Sequence, residues 1–258
     1  FEASKEYRLK VGKGFKDIYG QSNRRGSKKT VKYRPADPWM TIDRAGLAVV
    51  EAKQELGYRL TTMNVSEVQY RLARVDEKNL GLVLDRLGRY YGAAEAMESL
   101  EVLTNQKMKL PGKVNELTES RLDLAPGVNS DGFGWIFLEA RSKTTRGSSK
   151  WDEMSQRALI QVTDLGITAG VSEQKIVVLV SQLDSGAVVK GATVRFIDQS
   201  GKVYTSGKTD GDGMVKLKGP DALEGLPNGP YLLVAEMGSD RAFLSVDGSG
   251  NGGYVSSF

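Results

Sequence analysis

The 258 residues carry 40% hydrophobic and 26% charged side chains, with 36 Lys and Arg against 32 Asp and Glu for a formal net charge of +4. Cysteine and histidine are both absent, which excludes a thiol nucleophile, a Ser-His-Asp triad, a Cys or His zinc site and any disulfide framework. The chain opens on Phe1 rather than Met, so a processed product or excised piece is expected, of a length that suits one large β domain or two smaller ones.

Along the chain, residues 6–11 alternate polar and apolar, which would set Tyr7, Leu9 and Val11 on one face of a strand. Residues 1–34 hold 11 Lys and Arg against 3 Asp and Glu, a net of +8. No aromatic-rich motif accompanies that charge, so it reads as solvated surface and predicts no nucleic-acid partner. Residues 20–30 are polar and basic and read as a loop. Val31 and Tyr33 alternate again, and Pro38-Trp39 starts an edge strand or a crossing between sheets. Residues 47–50 and 57–62 read as strands around a short turn, and Val68, Tyr70 and Leu72 keep the period of a half-buried strand.

From Asp76 the character changes. Leu80, Val83, Leu84, Leu87 and Tyr91, then Ala94, Met97 and Leu100, fall at helical spacing, with Gly88 and Gly92 weakening the middle. Residues 76–103 therefore predict one broken helix or two short ones, its apolar stripe packed on a sheet edge. Strand character resumes at Lys107. A turn at residues 125–132 leads to a buried strand at 134–140, a basic hairpin loop at 141–152 and an apolar strand at 158–163. Seven short strands are then expected at 167–171, 175–183, 192–198, 202–208, 213–217, 230–236 and 241–246, separated by Gly, Asp, Ser and Pro turns, which is the rhythm of an Ig-like sandwich. Residues 247–253 read as a Gly/Ser-rich linker.

The expected fold class is all-β: tandem antiparallel sandwiches with a small helical insertion in the first. The first domain spans residues 1–162, of which 1–29 belong to a preceding domain or linker in one reading; the second spans 163–258.

Two stretches carry a family resemblance. Thr163-Asp164-Leu165-Gly166 precedes the strand at 175–183. Then Ser185-Gly186, Gly191-Ala192-Thr193-Val194, Gly201-Lys202-Val203, Thr209-Asp210-Gly211-Asp212-Gly213, Leu233-Val234-Ala235-Glu236 and Asp240-Arg241-Ala242-Phe243-Leu244 follow in order. This series resembles the macroglobulin-like domains of bacterial alpha-2-macroglobulins, and Asn64-Val65-Ser66-Glu67-Val68 resembles a further strand of those proteins. The resemblance implies scaffold domains of a broad-spectrum protease inhibitor, in which a protease cuts a bait segment and is trapped. It implies proteases and neighbouring macroglobulin domains as partners, and a periplasmic or cell-envelope location with a membrane anchor outside this stretch. Many family members use a Cys-Gln thioester; without cysteine, none lies within these residues.

No catalytic, cofactor-binding or metal residue is predicted. Asp210 and Asp212 read as a hairpin turn rather than a calcium loop, which would need six to eight oxygens. Gly12, Gly14 and Gly20 with Lys10, Lys13 and Lys16 lack the order of a phosphate loop. Glu51 with Glu55, or Asp152 with Glu153, could pair for glycoside chemistry only if the fold set their separation. Residues 141–150 are an ordinary loop or a bait. Trp39, Trp135 and Trp151 read as core or interdomain anchors, or else as a carbohydrate platform. The competing functions are an Ig-like adhesion or carbohydrate-binding module and an accessory sandwich of a hydrolase.

Overall fold

The computed structural model describes residues 5–22, 24–87, 97–111, 114–143, 154–227, 231–246 and 254–256. Strands β1 (Glu6–Val11) and β2 (Ser27–Lys32) pair with each other as a two-stranded antiparallel hairpin. Then come β3 (Trp39–Ile42), β4 (Gly46–Glu51), β5 (Gly57–Met63), β6 (Glu67–Val75), the helix α1 (Glu77–Leu87), β7 (Glu101–Lys109), β8 (Leu117–Asp123), β9 (Gly134–Ser142) and β10 (Met154–Thr163). These strands form a five-stranded sheet in the order β4-β10-β9-β6-β7 facing a three-stranded sheet β3-β5-β8.

The space between the two sheets is filled by alternate residues. Val68, Tyr70 and Leu72 of β6, Ile136, Leu138 and Ala140 of β9, and Ala158, Ile160 and Val162 of β10 meet Met40, Ile42, Tyr58, Leu60 and Leu122. A period of two puts one face of each strand into that core. The remaining residues of β9 and β10 are also largely buried, so these central strands are covered on both faces and read as near-continuous apolar runs.

The second sandwich is built from β11 (Leu165–Val171), β12 (Lys175–Gln182), β13 (Thr193–Ile197), β14 (Val203–Lys208), β15 (Met214–Lys218), β16 (Tyr231–Met237), β17 (Asp240–Val246) and β18 (Tyr254–Ser256). Its sheets run β15-β12-β11-β18 and β14-β13-β16-β17. Its core joins Ile167, Ile176, Val178, Val180, Val194, Phe196, Leu233 and Leu244. The expected all-β class and the Ig-like character of this region are what the structure shows.

Four readings are corrected. The segments at 47–50 and 57–62 do not pair: β4 lies in the five-stranded sheet and β5 in the three-stranded one. Strand β4 runs parallel to β10, Leu47 opposite Leu159, in a fold whose other pairs are antiparallel among the described residues. The turn between β4 and β5 therefore crosses from sheet to sheet, which period-two alternation cannot reveal. The helical region is also shorter than expected, because residues 101–103 already belong to β7. Lastly, β2 begins at Ser27, inside the basic stretch expected to be a loop. Gly88, Tyr91, Gly92 and Ala94, most of the 141–152 loop, and the 247–253 linker lie outside the described residues.

A pair of asparagines fastens the approach to the first sandwich. Asn64 and Asn115 both take positive φ, 56° and 63°, a region asparagine tolerates better than most residues. Asn64 Nδ2 donates to the Ala36 carbonyl at 2.7 Å, the Asn115 amide N–H donates to Asn64 Oδ1 at 2.6 Å, and the Ala36 N–H donates to Asn115 Oδ1 at 2.8 Å. The segment leading into β3 is thereby held to the β5–β6 and β7–β8 turns.

Candidate functional site: a sealed joint between two sandwiches

The outward-facing residues of the five-stranded sheet are apolar where a sheet face would normally be wet. Ala73, Val75, Trp135, Phe137 and Leu159 point away from the first core. Ile197, Leu232, Val234 and Phe243 point away from the second. Together with Leu80 and Val83 of α1, and with Met97 and Leu100, they form a third buried cluster. Helix α1 thus lies between the sandwiches, not on a sheet edge as its stripe alone suggested.

Gly81 explains how the helix fits. A Cβ built there would stand 2.1 Å from the Gln199 carbonyl oxygen. The turn after β13 therefore sits directly on the helix backbone, and only a residue without a side chain allows that approach. Gly201, at φ 85°, completes the same turn. Asp198 Oδ1 organises it by accepting from the Ser200 and Lys202 amides at 2.8 and 3.1 Å. Burial opposes ionisation of Asp198, but donors from Ser200, Lys202 and Tyr204 outweigh it and hold the carboxyl below its ordinary value.

Polar groups rim and seal the joint. Arg195 donates to both oxygens of Glu77, at 2.7 and 2.6 Å, and to Glu236 Oε2 at 3.1 Å. This forked geometry uses the guanidinium plane fully, and Glu77 raises the Arg195 pKa further. The Trp135 indole donates to the Arg241 carbonyl at 3.0 Å, the Arg241 guanidinium lies 5.1 Å over the Trp135 ring, and Phe243 meets that ring edge-on. Gln161 on β10 behaves like an added length of backbone. Its amide nitrogen donates to the Phe243 carbonyl at 3.0 Å, and its oxygen accepts from the Phe243 N–H at 2.6 Å.

At the crossing between sandwiches, Asp164 alone separates β10 from β11. Asp240 holds the crossing residue and the end of β10, accepting from Thr163 Oγ1 at 2.5 Å and from the Asp164 N–H at 2.9 Å. Burial raises the Asp240 pKa, with the nearby Asp164 carboxylate adding to it, against the lowering effect of those donors. Lys53 reaches Asp184 at 2.8 Å and Asp164 at 3.7 Å from the solvent side.

Further along the same sheet face, Glu139 is fully buried and bound by three guanidiniums: Arg71 from β6, Arg157 from β10 and Arg141 from its own strand. Register places Arg71 and Arg157 directly opposite Glu139. Burial would raise the Glu139 carboxyl, but the three arginines outweigh it and hold it below the usual range.

The residues weighed from sequence fall apart in space or serve turns. Glu51 accepts from Gln54, while Glu55 pairs with Arg121. Asp152 and Glu153 lie outside the described residues. Asp210 Oδ1 accepts from the Asp212 and Met214 amides, both at 3.0 Å, in a hairpin turn closed by Gly213 at φ 71°. Gly14 and Gly20, both at positive φ, lie in the β1–β2 connection. Trp135 is an interdomain anchor, Trp39 is 43% exposed on an edge strand and so corrected as an anchor, and Trp151 lies outside the described residues. Arg141 and Ser142 belong to β9, so the 141–150 stretch does not begin as a loop. Among the described residues no group of three or more acidic side chains could hold a metal ion, and no helix is long and apolar enough to cross a membrane. Sequence reasoning missed Gly81, Gln161 and Asp240. A glycine in mid-helix was the one available signal.

Comparison with known proteins bears on this joint and both sandwiches. The family model described as Bacterial alpha-2-macroglobulin MG3 domain matches residues 162–251. A curated alpha-2-macroglobulin homolog from Nostoc is 24% identical over 232 residues, covering 84% of this chain, and the chain spans 12% of that relative's length. Among solved structures, native alpha-2-macroglobulin from Escherichia coli spanning domains MG0-NIE-MG1 has a TM-score of 0.63 at 18% identity, covering 96% of this chain and 76% of that one. The same protein spanning NIE-MG1 scores 0.60 at 16% identity, covering 81% of this chain and 97% of that one. A Salmonella alpha-2-macroglobulin variant scores 0.61 at 17% identity, covering 95% of this chain and 14% of that one. Residues 162–251 thus match the MG3 domain of bacterial alpha-2-macroglobulins, and the chain as a whole is similar in sequence to one alpha-2-macroglobulin homolog and in fold to the N-terminal domains of others.

Proposed function

We propose that this chain is a rigid scaffold segment of a protease-trapping protein and performs no chemistry itself. The observation that carries the reading is the joint. Two sandwiches share a buried apolar seam and a one-residue crossing, which supports their moving as one body. A trap needs such parts, because a cut at one place must be converted into displacement elsewhere without being absorbed by loose domain contacts. The partners under this reading are proteases, met by the whole protein, and further macroglobulin domains of the same polypeptide. The location is the periplasm or cell envelope, with attachment to a membrane through a segment outside these residues; cell fractionation tests it.

The activity test uses the whole polypeptide that the gene encodes. It is incubated with an endopeptidase, and hydrolysis of a large protein and of a small peptide substrate is followed. Trapping predicts that cleavage of the large substrate falls while the small substrate is still cut, because exclusion is steric. Residues 1–258 alone should leave both rates unchanged. Equal, undiminished cleavage of both substrates by the protease in the presence of the whole protein would overturn the proposal.

A further inference from the structure

Asp164 and Asp240 adjoin at the crossing between the sandwiches, and both are nearly sealed from water, at 8% and 5% exposure. A carboxylate so placed needs donors from the protein itself. Asp240 has them, in the Thr163 hydroxyl, the Asp164 N–H and the Arg241 N–H. Asp164 is only half provided for. Its Oδ2 meets Lys53 at 3.7 Å, and its Oδ1 is the only buried carboxylate oxygen without a hydrogen-bond partner among the described residues. That bare oxygen belongs to the same residue whose amide Asp240 Oδ2 already grips.

The charged groups packed around the pair do little to neutralise it. Lys53 enters from the β4–β5 connection on the solvent side, but its nearer partner is Asp184, at 2.8 Å, in the turn after β12. Hydrogen bonding from Lys53 holds the Asp184 carboxyl below its ordinary value. Glu51 of β4 stands opposite Thr163 and accepts from Gln54. On β17 the Arg241 guanidinium turns away, to the Trp135 ring and to Glu77 at 3.7 Å. Glu236, opposite Arg241 on β16, is engaged by Arg195. Among the described residues Lys53 is thus the one cation paired with either carboxylate of the crossing.

Two carboxylates in one dry site resist being ionised together, and the pair titrates as a unit. A proton placed on one of them turns the repulsion into an O–H to carboxylate hydrogen bond, which is among the stronger kinds. Proton access is short, because 11% of the Asp164 side chain remains in contact with water beneath Lys53.

We propose that on acidification Asp240 takes up a proton from solvent and donates it to the bare Asp164 Oδ1, so that the joint between the sandwiches closes more firmly in weak acid than at neutral pH. One O–H bond forms on Asp240, and no bond within the protein breaks. The inference goes beyond the scaffold reading and holds whether or not the whole protein traps a protease. The sign follows from the raised Asp240 pKa. Stability from this group is complete below the unfolded-state value, 3.8, and is lost as pH rises through the higher folded-state value. Glu139 has the opposite slope, so a readout specific to the crossing is required.

Carbon-13 NMR titration of the side-chain carboxyls supplies it, together with the Trp135 indole resonance, since that indole donates to the Arg241 carbonyl beside Asp240. In the parent chain the Asp240 carboxyl should titrate above 3.8, and the Trp135 resonance should shift with the same midpoint. Asp164→Asn keeps the backbone N–H and removes the neighbouring charge. The Asp240 midpoint should then fall, and the thermal midpoint at neutral pH should rise above that of the parent, a gain that fades on acidification. Lys53→Met removes the solvent-side cation and should move the Asp240 midpoint upward. An Asp240 midpoint indifferent to Asp164→Asn would overturn the proposal, because burial alone would then set it. So would a Trp135 resonance that does not follow the Asp240 titration. None of these readings involves a protease, so a failed trap and a failed proton switch remain distinguishable.

Discussion

The two sandwiches solve the same packing problem by different routes. The second closes with pairs such as β11–β12, β13–β14 and β16–β17, each between neighbours in sequence and joined by short turns. The first closes through β6–β9 and the parallel β4–β10 pair, which join residues far apart in the chain. It also buries the Glu139 carboxylate among three arginines, and carries the helix that docks onto its neighbour. The difference teaches that the second sandwich is regular by itself, while the first is shaped around what it must hold. Its outer sheet face is half joint and half ionic cluster.

The largest expected effect lies at the helix. Gly81→Val places side-chain atoms inside the Gln199 carbonyl, so α1 must lift away from the second sandwich. The cost is on the order of 4 kcal/mol. Calorimetry should resolve two transitions where the parent chain shows one. A single transition at an unchanged midpoint would show that the seam does not couple the sandwiches.

Glu139→Gln comes next. Leaving three arginines around a neutral amide should cost about 3–5 kcal/mol at pH 7 by urea unfolding. The sign with pH follows from the lowered carboxyl. Its stabilising contribution is complete above the unfolded-state value, 4.5, and is lost as pH falls through the lower folded-state value. The gap between parent and variant should therefore close on acidification, and a gap that widened toward acid would contradict the assigned ionic cluster.

Phe243→Ala empties part of the seam. A loss of about 3–4 kcal/mol is expected from urea unfolding, with near-ultraviolet dichroism reporting the altered Trp135 environment. Arg195→Met keeps much of the side-chain stem but removes the fork to Glu77 and Glu236. About 1–2 kcal/mol should be lost in denaturant titration, shrinking with added salt only slightly because the pair is mostly shielded from solvent. Together these two rank seam above rim. The reverse order would move the stability of the joint to its charges.

The sequence made much of this readable, and the physical reason differs by region. Strands β12 and β13 were visible because Ile176, Val178 and Val180, and then Val194 and Phe196, alternate toward one core. Strand β10 was visible as an apolar run, but its second buried face was not, because a run such as Ala158 to Val162 does not say what lies on either side. The docking of α1 was hidden for the same reason. Leu80 and Val83 show which face of the helix is apolar, and the turn at Gln199 that meets Gly81 is remote in sequence. Nothing in the spacing of Gln161, Thr163, Asp240 and Phe243 announces that they meet. The hairpin was readable as a strand at 6–11, yet its basic second strand lacks apolar alternation and looked like a loop.

Asp164 is the entire length of chain between the two sandwiches, and Asp240 grips the residues at its threshold. A tether so short has no slack with which to store or forget an orientation. Torque reaching β10 would pass to β11 with little lost to bending, which is the action of a crank rather than of a hinge.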